Sequence, residues 1–133
     1  MKFCRLLLVC LSAAAWVTPD VAAADERTAD RCRELQKSLF DFYLASVDTK
    51  HGGYLEQLDA KGRFSGEEKF LTLQARQLWY FSAMANHGLN REKALGAAKS
   101  GYDFLVRHFH DDDHGGYFAK TDRSGKPIDS RKH

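Results

Sequence analysis

The sequence predicts an all-α fold of helix hairpins, in which a small β-hairpin is inserted between the helices of each pair. A tetrapeptide repeat is the first observation, because His-Gly-Gly-Tyr occurs at 51–54 and again 63 residues later at 114–117. Periodicity is the second: apolar residues follow helical spacing on both sides of each tetrapeptide, whereas the residues directly after it alternate in polarity. Such a repeat indicates one supersecondary unit used more than once.

The repeat extends well beyond the tetrapeptide. At the same offset four residues of the first copy recur without a gap, and the pairs are Asp48 and Asp111, Asp59 and Asp122, Gly62 and Gly125, and Lys69 and Lys132. The unit is therefore helix, β-hairpin, helix. The second copy stops where the first one opens its second helix, so we expect one and a half units, with exposed apolar surface on Leu71, Trp79 and Phe81.

The N-terminus has the pattern of a signal peptide over residues 1–24. Lys2 and Arg5 precede an apolar run of 12 residues, 6–17, which is too short to span a bilayer comfortably. Small alanines at 22–24 then offer a cleavage site. We therefore expect residues 25–133 to form the mature chain and to be secreted or periplasmic.

Cleavage there leaves one cysteine. Cys4 and Cys10 lie in the signal peptide, so Cys32 would be the only cysteine of the mature chain and could form no internal disulfide. Cys32 falls on a helical apolar stripe, which predicts a small core residue.

Composition excludes some partners. The chain of 133 residues is 44% apolar and 29% charged, which is typical of a folded globular protein. Its net charge of +2 with no basic block argues against nucleic acid. A mean hydropathy of −0.49, with no long apolar run after the N-terminus, argues against membrane integration.

Helical spacing predicts the first helix over 28–47. The apolar residues that share its main face are Cys32, Leu35, Leu39 and Phe42. Glycines 52 and 53 end this helix, since glycine readily adopts the left-handed backbone. An alternating segment and a turn at 59–62 then predict a β-hairpin over 53–64.

The second helix is predicted to begin with Ser65 as its N-cap and Glu67 and Glu68 in its first turn, and to end near Asn86. Asn90 is the predicted cap of a third helix over 91–108. That helix has a face of small residues, which permits close packing of another helix. They are Ala94, Ala97, Ala98 and Gly101. A second hairpin is predicted over 117–125.

These motifs, at these spacings, resemble the N-acylglucosamine 2-epimerase and cellobiose 2-epimerase superfamily. The motifs are Asp-x-x-x-Gly-Gly-Tyr at 48–54, Asp-x-x-Gly at 59–62, Lys-x4-Gln-x-Arg at 69–76, and Gly-Tyr-x-Phe-Leu at 101–105. The resemblance covers about 35–133. It implies a partial (α/α)6 toroid, with residues 25–133 as the N-terminal fragment of an epimerase-type domain.

The resemblance also implies a chemistry, in which the proton α to a sugar carbonyl is removed and returned to the other face. Two histidines of the family serve as general base and acid, and an arginine steadies the developing oxyanion. By motif position that arginine is Arg76, whereas none of the six histidines here matches the family's catalytic pair. The implied substrate is a mono- or disaccharide, with no metal or cofactor, and a complementary C-terminal portion would supply the histidines.

The residues themselves leave alternatives open for each site. Arg76 could instead form a structural salt bridge with Glu34 or Glu68. Trp79 and Tyr80 are predicted to bind sugar, because aromatic faces suit pyranose rings, but their helical spacing also suits a core.

Other functions remain open as well. The chain could be a non-catalytic remnant or a partner-binding module. A glycoside hydrolase on the same toroid would need carboxylates across a pocket, whereas Glu67 and Glu68 look like partners of a helix dipole. Calcium at 111–122 is a further alternative, which Lys50 weakens because it stands in the first copy where Asp113 stands in the second.

Overall fold

The structure is a computed structural model that describes residues 19–132. Most of the predicted signal peptide, with Cys4 and Cys10, lies outside the described residues. The chain divides into two compact units, 1–35 and 36–133, and both tetrapeptides lie in the second. No helix within residues 19–132 is long and apolar enough to cross a membrane.

The described residues form three helices and five short strands. In chain order these are α1 (Pro19–Leu44), β1 (Gln57–Leu58), β2 (Phe64–Ser65), β3 (Glu68–Phe70), α2 (Leu71–Asn86), α3 (Arg91–His108), β4 (Phe118–Asp122) and β5 (Pro127–Lys132). Both predicted hairpins are present, as β1–β2 and as the longer β4–β5.

The two copies of the repeat adopt the same backbone geometry. We call residues 48–54 the first corner and 111–117 the second corner. Val47 forms an isolated antiparallel bridge with Tyr54, and His110, 63 residues after Val47, forms the same bridge with Tyr117. The N–H of Asp48 donates to the carbonyl of residue 53 at 2.9 Å, and that of Asp111 donates to the carbonyl of residue 116 at 3.0 Å. The sequence repeat is therefore a structural repeat.

A strand of the first copy completes the sheet of the second. β3 pairs antiparallel with β4, with Lys69 opposite Thr121, and β4 pairs antiparallel with β5. The segment that leads into α2 is thereby fixed to the second hairpin. Because this pairing is long-range, no local pattern announces it.

The core lies between α2, α3 and the C-terminal part of α1. Its buried members are Phe40, Tyr54, Phe81, Met84, Ala85, Ala94, Ala97 and Ala98. The Tyr54 ring stacks on Phe81 at 5.5 Å, and its hydroxyl donates to the carbonyl of Ala97 at 2.9 Å. A Cβ at Gly101 would lie 2.2 Å from that hydroxyl oxygen, so the small-residue face of α3 makes room for Tyr54.

The predicted start of α2 is wrong. Ser65 lies in β2 and Glu68 in β3, whereas α2 begins at Leu71 with no acidic residue in its first turn. Strand pairing takes the place of helical structure over these residues, with Ser65 opposite Gln57 of β1 and Glu68 opposite Asp122 of β4. Asn90 does precede α3, but its φ of 45° is left-handed and its side chain makes no capping bond.

Two predictions of burial are also wrong. Cys32 is exposed rather than buried, and of its unit the structure describes only α1. Phe81 is fully buried rather than exposed, since its ring contacts both Phe40 and Tyr54. The predicted exposure of Trp79 is confirmed at 72%.

Candidate functional site

A buried lysine connects the first corner to the second hairpin. Lys69 is 0% exposed, and its Nζ donates to Asp48 Oδ2 at 3.2 Å and to the carbonyl oxygens of Gly52 at 2.5 Å and Arg123 at 3.0 Å. The same Nζ lies 4.0 Å from the centroid of the Phe104 ring. A buried ammonium needs this degree of compensation. Burial lowers the pKa of Lys69, and the charge of Asp48 opposes that shift.

Asp48 is the anion of this cluster. Burial alone would raise its pKa, but hydrogen bonds from Arg123 and Lys69 and the charge of Lys69 hold the pKa well below its ordinary value. Its Oδ1 also accepts the backbone N–H groups of Lys50 at 3.2 Å and His51 at 3.4 Å. Asp111 Oδ1 accepts from Asp113 and His114 in the same way. In both corners, therefore, the aspartate closes the loop.

Gln74 fixes the start of α2 to the first corner. Its Oε1 accepts the N–H of Tyr54 at 3.0 Å, and its Nε2 donates to the carbonyl of Tyr54 at 2.8 Å and to Glu56 Oε1 at 2.7 Å. Glu56 Oε1 also accepts the N–H of Phe70 at 2.9 Å, at the residue where a cap would stand. Gln74 is 0% exposed, so these bonds set the rotation of α2 about its axis.

Arg76 follows two residues later and points away from Gln74, because two residues turn a helix by roughly 200°. It lines an open cleft of about 550 Å³ between the first turns of α2 and the hairpin β4–β5, which we call the Arg76 cleft. The other residues that line it are Phe70, Thr72, Leu73, Ala119, Lys120, Asp129 and Arg131. The cleft therefore combines an apolar wall with a charged one.

Within residues 36–132, Arg76 is the cation of this cleft that has no ion-pair partner. Lys120 forms an ion pair with Glu68, and Arg131 contacts Asp129 through Nε and Nη2. Hydrogen bonds from Arg131 hold the pKa of Asp129 at about 2. No carboxylate of residues 36–132 forms an ion pair with Arg76, and the predicted salt bridge to Glu68 does not form, since Glu68 pairs with Lys120. An exposed, unpaired guanidinium can bind a ligand oxygen.

The two predicted sugar-binding aromatics lie in different surroundings. Trp79 lies three residues after Arg76 on the same face of α2 and is 72% exposed, but it does not line the cleft. Tyr80 contacts the rings of Tyr43 at 5.3 Å and Phe81 at 5.4 Å. Its buried hydroxyl has no hydrogen-bond partner within residues 19–132. Sugar binding by either residue stays a prediction.

None of the histidines within the described range lines the Arg76 cleft. His51 lies in the first corner, where its backbone N–H donates to Asp48. The ring of His108 contacts that of Phe104 at a tilt, with centroids 4.7 Å apart, and burial, together with the charge of Arg107, lowers the pKa of His108. His114 Nδ1 lies 3.5 Å from Asp111 Oδ2 in the second corner. Corner geometry accounts for the two histidines of the repeat.

Sequence reasoning missed the cleft residues of the second hairpin. Lys120, Asp129 and Arg131 reach the start of α2 only because β3 pairs with β4. It also missed the role of Lys69, although a signal was present: Asp48 and Lys69 both recur at the repeat offset. The recurrence of an acid together with a base is a sequence signal for the ion pair that Lys69 forms with Asp48.

Comparison with known proteins gives a consistent result. A family model described as N-acylglucosamine 2-epimerase (GlcNAc 2-epimerase) matches residues 53–133. The cellobiose 2-epimerase of Dictyoglomus turgidum is 34% identical over 101 residues, which cover 74% of this chain and 25% of that protein. The N-acylglucosamine 2-epimerase of Homo sapiens is 31% identical over 78 residues, covering 57% and 18% respectively.

Solved structures agree with the sequence comparisons. The structure of cellobiose 2-epimerase from Bacillus thermoamylovorans matches with a TM-score of 0.63 and 32% identity over 70% of this chain and 24% of that one. A D-mannose isomerase shares the fold, with a TM-score of 0.62 at 21% identity over 74% of this chain and 24% of that one. The chain thus spans about a quarter of the length of the cellobiose 2-epimerases it matches. The resemblance seen in the sequence motifs is confirmed.

Proposed function

Because this chain belongs to the N-acylglucosamine 2-epimerase family, we propose that it forms the arginine-bearing part of the active site of a sugar 2-epimerase or aldose–ketose isomerase. The observation that carries the proposal is Arg76, an exposed guanidinium without an ion pair, set in an open cleft of about 550 Å³. A mono- or disaccharide is the proposed ligand. The (α/α)6 toroid is the architecture to which these helices would contribute.

The proposed chemistry explains why this arginine is left unpaired. Removing the proton α to a carbonyl places negative charge on the carbonyl oxygen, and a fixed cation lowers the energy of that charge. A partner carboxylate on Arg76 would compete for the same donors. Lys120 and Arg131, by contrast, are already paired, so they can shape the cleft without competing for the oxyanion.

Acid–base catalysis requires groups that the Arg76 cleft does not hold. Its carboxylate, Asp129, has a pKa of about 2 and is a poor proton acceptor at neutral pH. No histidine of residues 19–132 lines the cleft. We therefore assign the general base and acid to a complementary C-terminal portion, for which the exposed Trp79 and Leu73, 72% and 39% exposed, offer apolar contact area.

A non-catalytic, partner-binding module is the second candidate, and the same exposed apolar side chains favour it. The glycoside hydrolase has less support. It requires two carboxylates across a pocket, but among the described residues that line the cleft Asp129 is the only carboxylate, and Arg131 is bound to it. Secretion or a periplasmic location stays part of the proposal, and it rests on the signal-peptide pattern alone.

Sugar binding tests the proposal directly. Isotope-labelled chain is titrated with cellobiose, mannose and N-acetylglucosamine, and the Nε–H resonance of Arg76 is followed by NMR. We expect a saturable shift, and about tenfold weaker binding in Arg76→Met, because a charge-assisted hydrogen bond is lost. Arg91→Met removes an exposed arginine outside the cleft and should leave binding unchanged. If no sugar perturbs Arg76, the sugar-site proposal fails and the partner-binding module stands.

Isotope exchange tests whether the acid and base of the reaction lie outside this chain. The chain is incubated with the same sugars in heavy water, and deuterium at C2 is measured by mass spectrometry. We expect none, because the cleft lacks an acid–base pair. Deuterium at C2 that disappears in Arg76→Met would show that this chain carries its own pair and needs no complementary portion.

A further inference from the structure

The Arg76 cleft carries more positive than negative charge. We call the side of the cleft that β4 and β5 form the hairpin wall, and its residues are Ala119, Lys120, Asp129 and Arg131. The wall thus has two cations and one carboxylate, and Arg76 on α2 adds a third cation. Glu68, which does not line the cleft, pairs with Lys120 from outside. Even with Glu68 counted, three cations stand against two carboxylates.

Asp129 does not present an open negative charge to a ligand. Arg131 Nε lies 3.0 Å from both carboxylate oxygens of Asp129, and Arg131 Nη2 donates to Oδ2 at 2.5 Å. These hydrogen bonds, with a smaller contribution from the charge of Lys120, hold the pKa of Asp129 at about 2. At neutral pH the carboxylate is therefore ionised and already bound, so a ligand that enters the cleft meets the cations of the wall.

Both cations of the hairpin wall keep donors for a ligand. Arg131 binds Asp129 through Nε and Nη2, whereas its Nη1 makes no hydrogen bond within residues 36–132, and its side chain is 83% exposed. Lys120 has three ammonium hydrogens and one carboxylate partner, Glu68, whose side chain is 40% exposed. Because an ion pair with such an exposed carboxylate contributes little, a ligand anion can share or replace Glu68. A guanidinium also matches the geometry of a carboxylate or a phosphate.

The repeat separates these cations from the framework of the hairpin. Residues that shape the turn recur at the offset of 63, as Asp122 and Gly125 do. Lys120 and Arg131 do not recur, since Gln57 and Glu68 stand at the corresponding places of the first copy. The first copy forms its hairpin with a neutral side chain at one place and an acidic one at the other. Positive charge at these places is therefore not a requirement of the hairpin.

We infer that the sugar bound in the Arg76 cleft carries an oxyanion substituent, a carboxylate or a phosphate, which Lys120 and Arg131 of the hairpin wall bind. This inference rests on the proposed function and names the class of substrate for the same site. Arg76 then remains available to the sugar oxygen that becomes negative during the reaction. The volume of about 550 Å³ is within the range of small-molecule sites, so a sugar and its substituent can occupy the cleft together.

Matched pairs of sugars test the inference. Mannose is compared with mannose 6-phosphate, and glucose with glucuronate, in titrations of the isotope-labelled 133-residue chain, and affinity is measured from the Nε–H resonance of Arg76. We expect each charged sugar to bind about tenfold more tightly than its neutral partner at low salt, because charge-assisted hydrogen bonds are added. That preference should shrink as salt is added, since the cations of the wall are exposed to solvent.

Variants of the wall identify the groups responsible. Arg131→Met should reduce the preference for the charged sugars, and Arg131→Glu should abolish it, because the second change also adds a negative charge. Arg91→Met removes an exposed arginine outside the cleft and should keep the preference of the unmodified chain. The amide resonance of Tyr54, which is bound by Gln74, verifies in each variant that the start of α2 is unchanged.

The results separate this inference from the proposed function. If neutral and charged sugars bind at Arg76 equally well, or if Arg131→Glu keeps the preference, the inference is overturned and the proposed function stands. If no sugar of either kind perturbs Arg76, both fail. Inorganic phosphate provides the last comparison: binding as tight as that of mannose 6-phosphate would mean that the cleft recognises the anion without the sugar, and would also overturn the inference.

Discussion

Arg123 of the second hairpin donates two hydrogen bonds to Asp48 of the first corner, from Nε to Oδ2 at 2.9 Å and from Nη2 to Oδ1 at 3.2 Å. The counterpart of Arg123 in the first copy is Ala60, so this contact departs from the repeat. Together with the bond from Lys69 it ties both hairpin units to one carboxylate. Asp48 is therefore the residue through which the first corner is joined to the second hairpin.

Removing that carboxylate should strongly destabilise the fold. Asp48→Asn keeps an oxygen for the corner amides but leaves the ammonium of Lys69 buried without its anion. We expect a loss of about 3–5 kcal/mol in the free energy of unfolding, measured by urea denaturation. Adding Lys69→Met should recover part of this loss, because the uncompensated charge is then gone. A loss below about 1 kcal/mol for Asp48→Asn would contradict a buried ion pair.

Acid should weaken the same contact. The pKa of Asp48 is held below its ordinary 3.8 in the folded chain. A depressed carboxyl pKa means that its contribution to stability is complete above 3.8 and disappears as the pH falls through the folded-state value. The stability difference between the unmodified chain and Asp48→Asn should therefore shrink between pH 5 and pH 2. Urea midpoints across that range provide the measurement, and a difference independent of pH would refute the assignment.

The contribution of Glu56 to stability should change with pH in the direction opposite to that of Asp48. Burial raises its pKa above the ordinary 4.5, although hydrogen bonds from Gln74 and Phe70 and the charge of Lys69 oppose the shift. Its contribution is then fully present below pH 4.5 and is lost as the pH rises through the raised value. Glu56→Gln keeps the acceptor for Gln74 and Phe70 without the charge. We expect the urea midpoint of Glu56→Gln to rise relative to that of the unmodified chain as the pH rises from 4 to 8. A difference between the two midpoints that stays constant would argue against a buried charged carboxylate.

Alanine substitutions at two glycines with similar backbone angles distinguish backbone strain from steric overlap with neighbouring side chains. Gly53 has φ +67° and Gly115 has φ +71°, so alanine is strained at both. A Cβ at Gly53 would meet Gln74 Oε1 at 2.6 Å, whereas at Gly115 it meets nothing within 4 Å. Gly53→Ala should therefore lower the free energy of unfolding, measured by thermal denaturation, more than Gly115→Ala does, by about 1–3 kcal/mol. Equal effects would mean that Gln74 moves aside freely.

Much of this geometry is readable from the sequence. The recurrence of His-Gly-Gly-Tyr indicated a repeated supersecondary unit, and the structure gives both copies the same bridge and loop bonds. The small residues of α3 indicated close packing, and Tyr54 fills that space. These features are local, or they repeat, so the pattern contains them.

Other features depend on partners far along the chain. Ser65 and Glu68 have the local signature of a helix start, yet both lie in strands, one of them paired with β4. The sequence left a structural salt bridge open for Arg76, whereas the rotation of α2 set by Gln74 places Arg76 in the cleft. Neither outcome follows from periodicity, because each is decided by a contact with another element.

The pairing of β3 with β4 determines whether the two copies of the repeat could be separated as fragments. In sequence β3 belongs to the first copy, but its hydrogen bonds lie in the sheet of the second. Dividing the chain at the boundary between the copies would remove the edge strand β3 from the sheet that β4 and β5 form. Lys69 would also lose its hydrogen bond to the carbonyl of Arg123. The boundaries of the folding unit therefore differ from those of the sequence repeat. A single copy, expressed alone, would lack contacts that the other copy supplies.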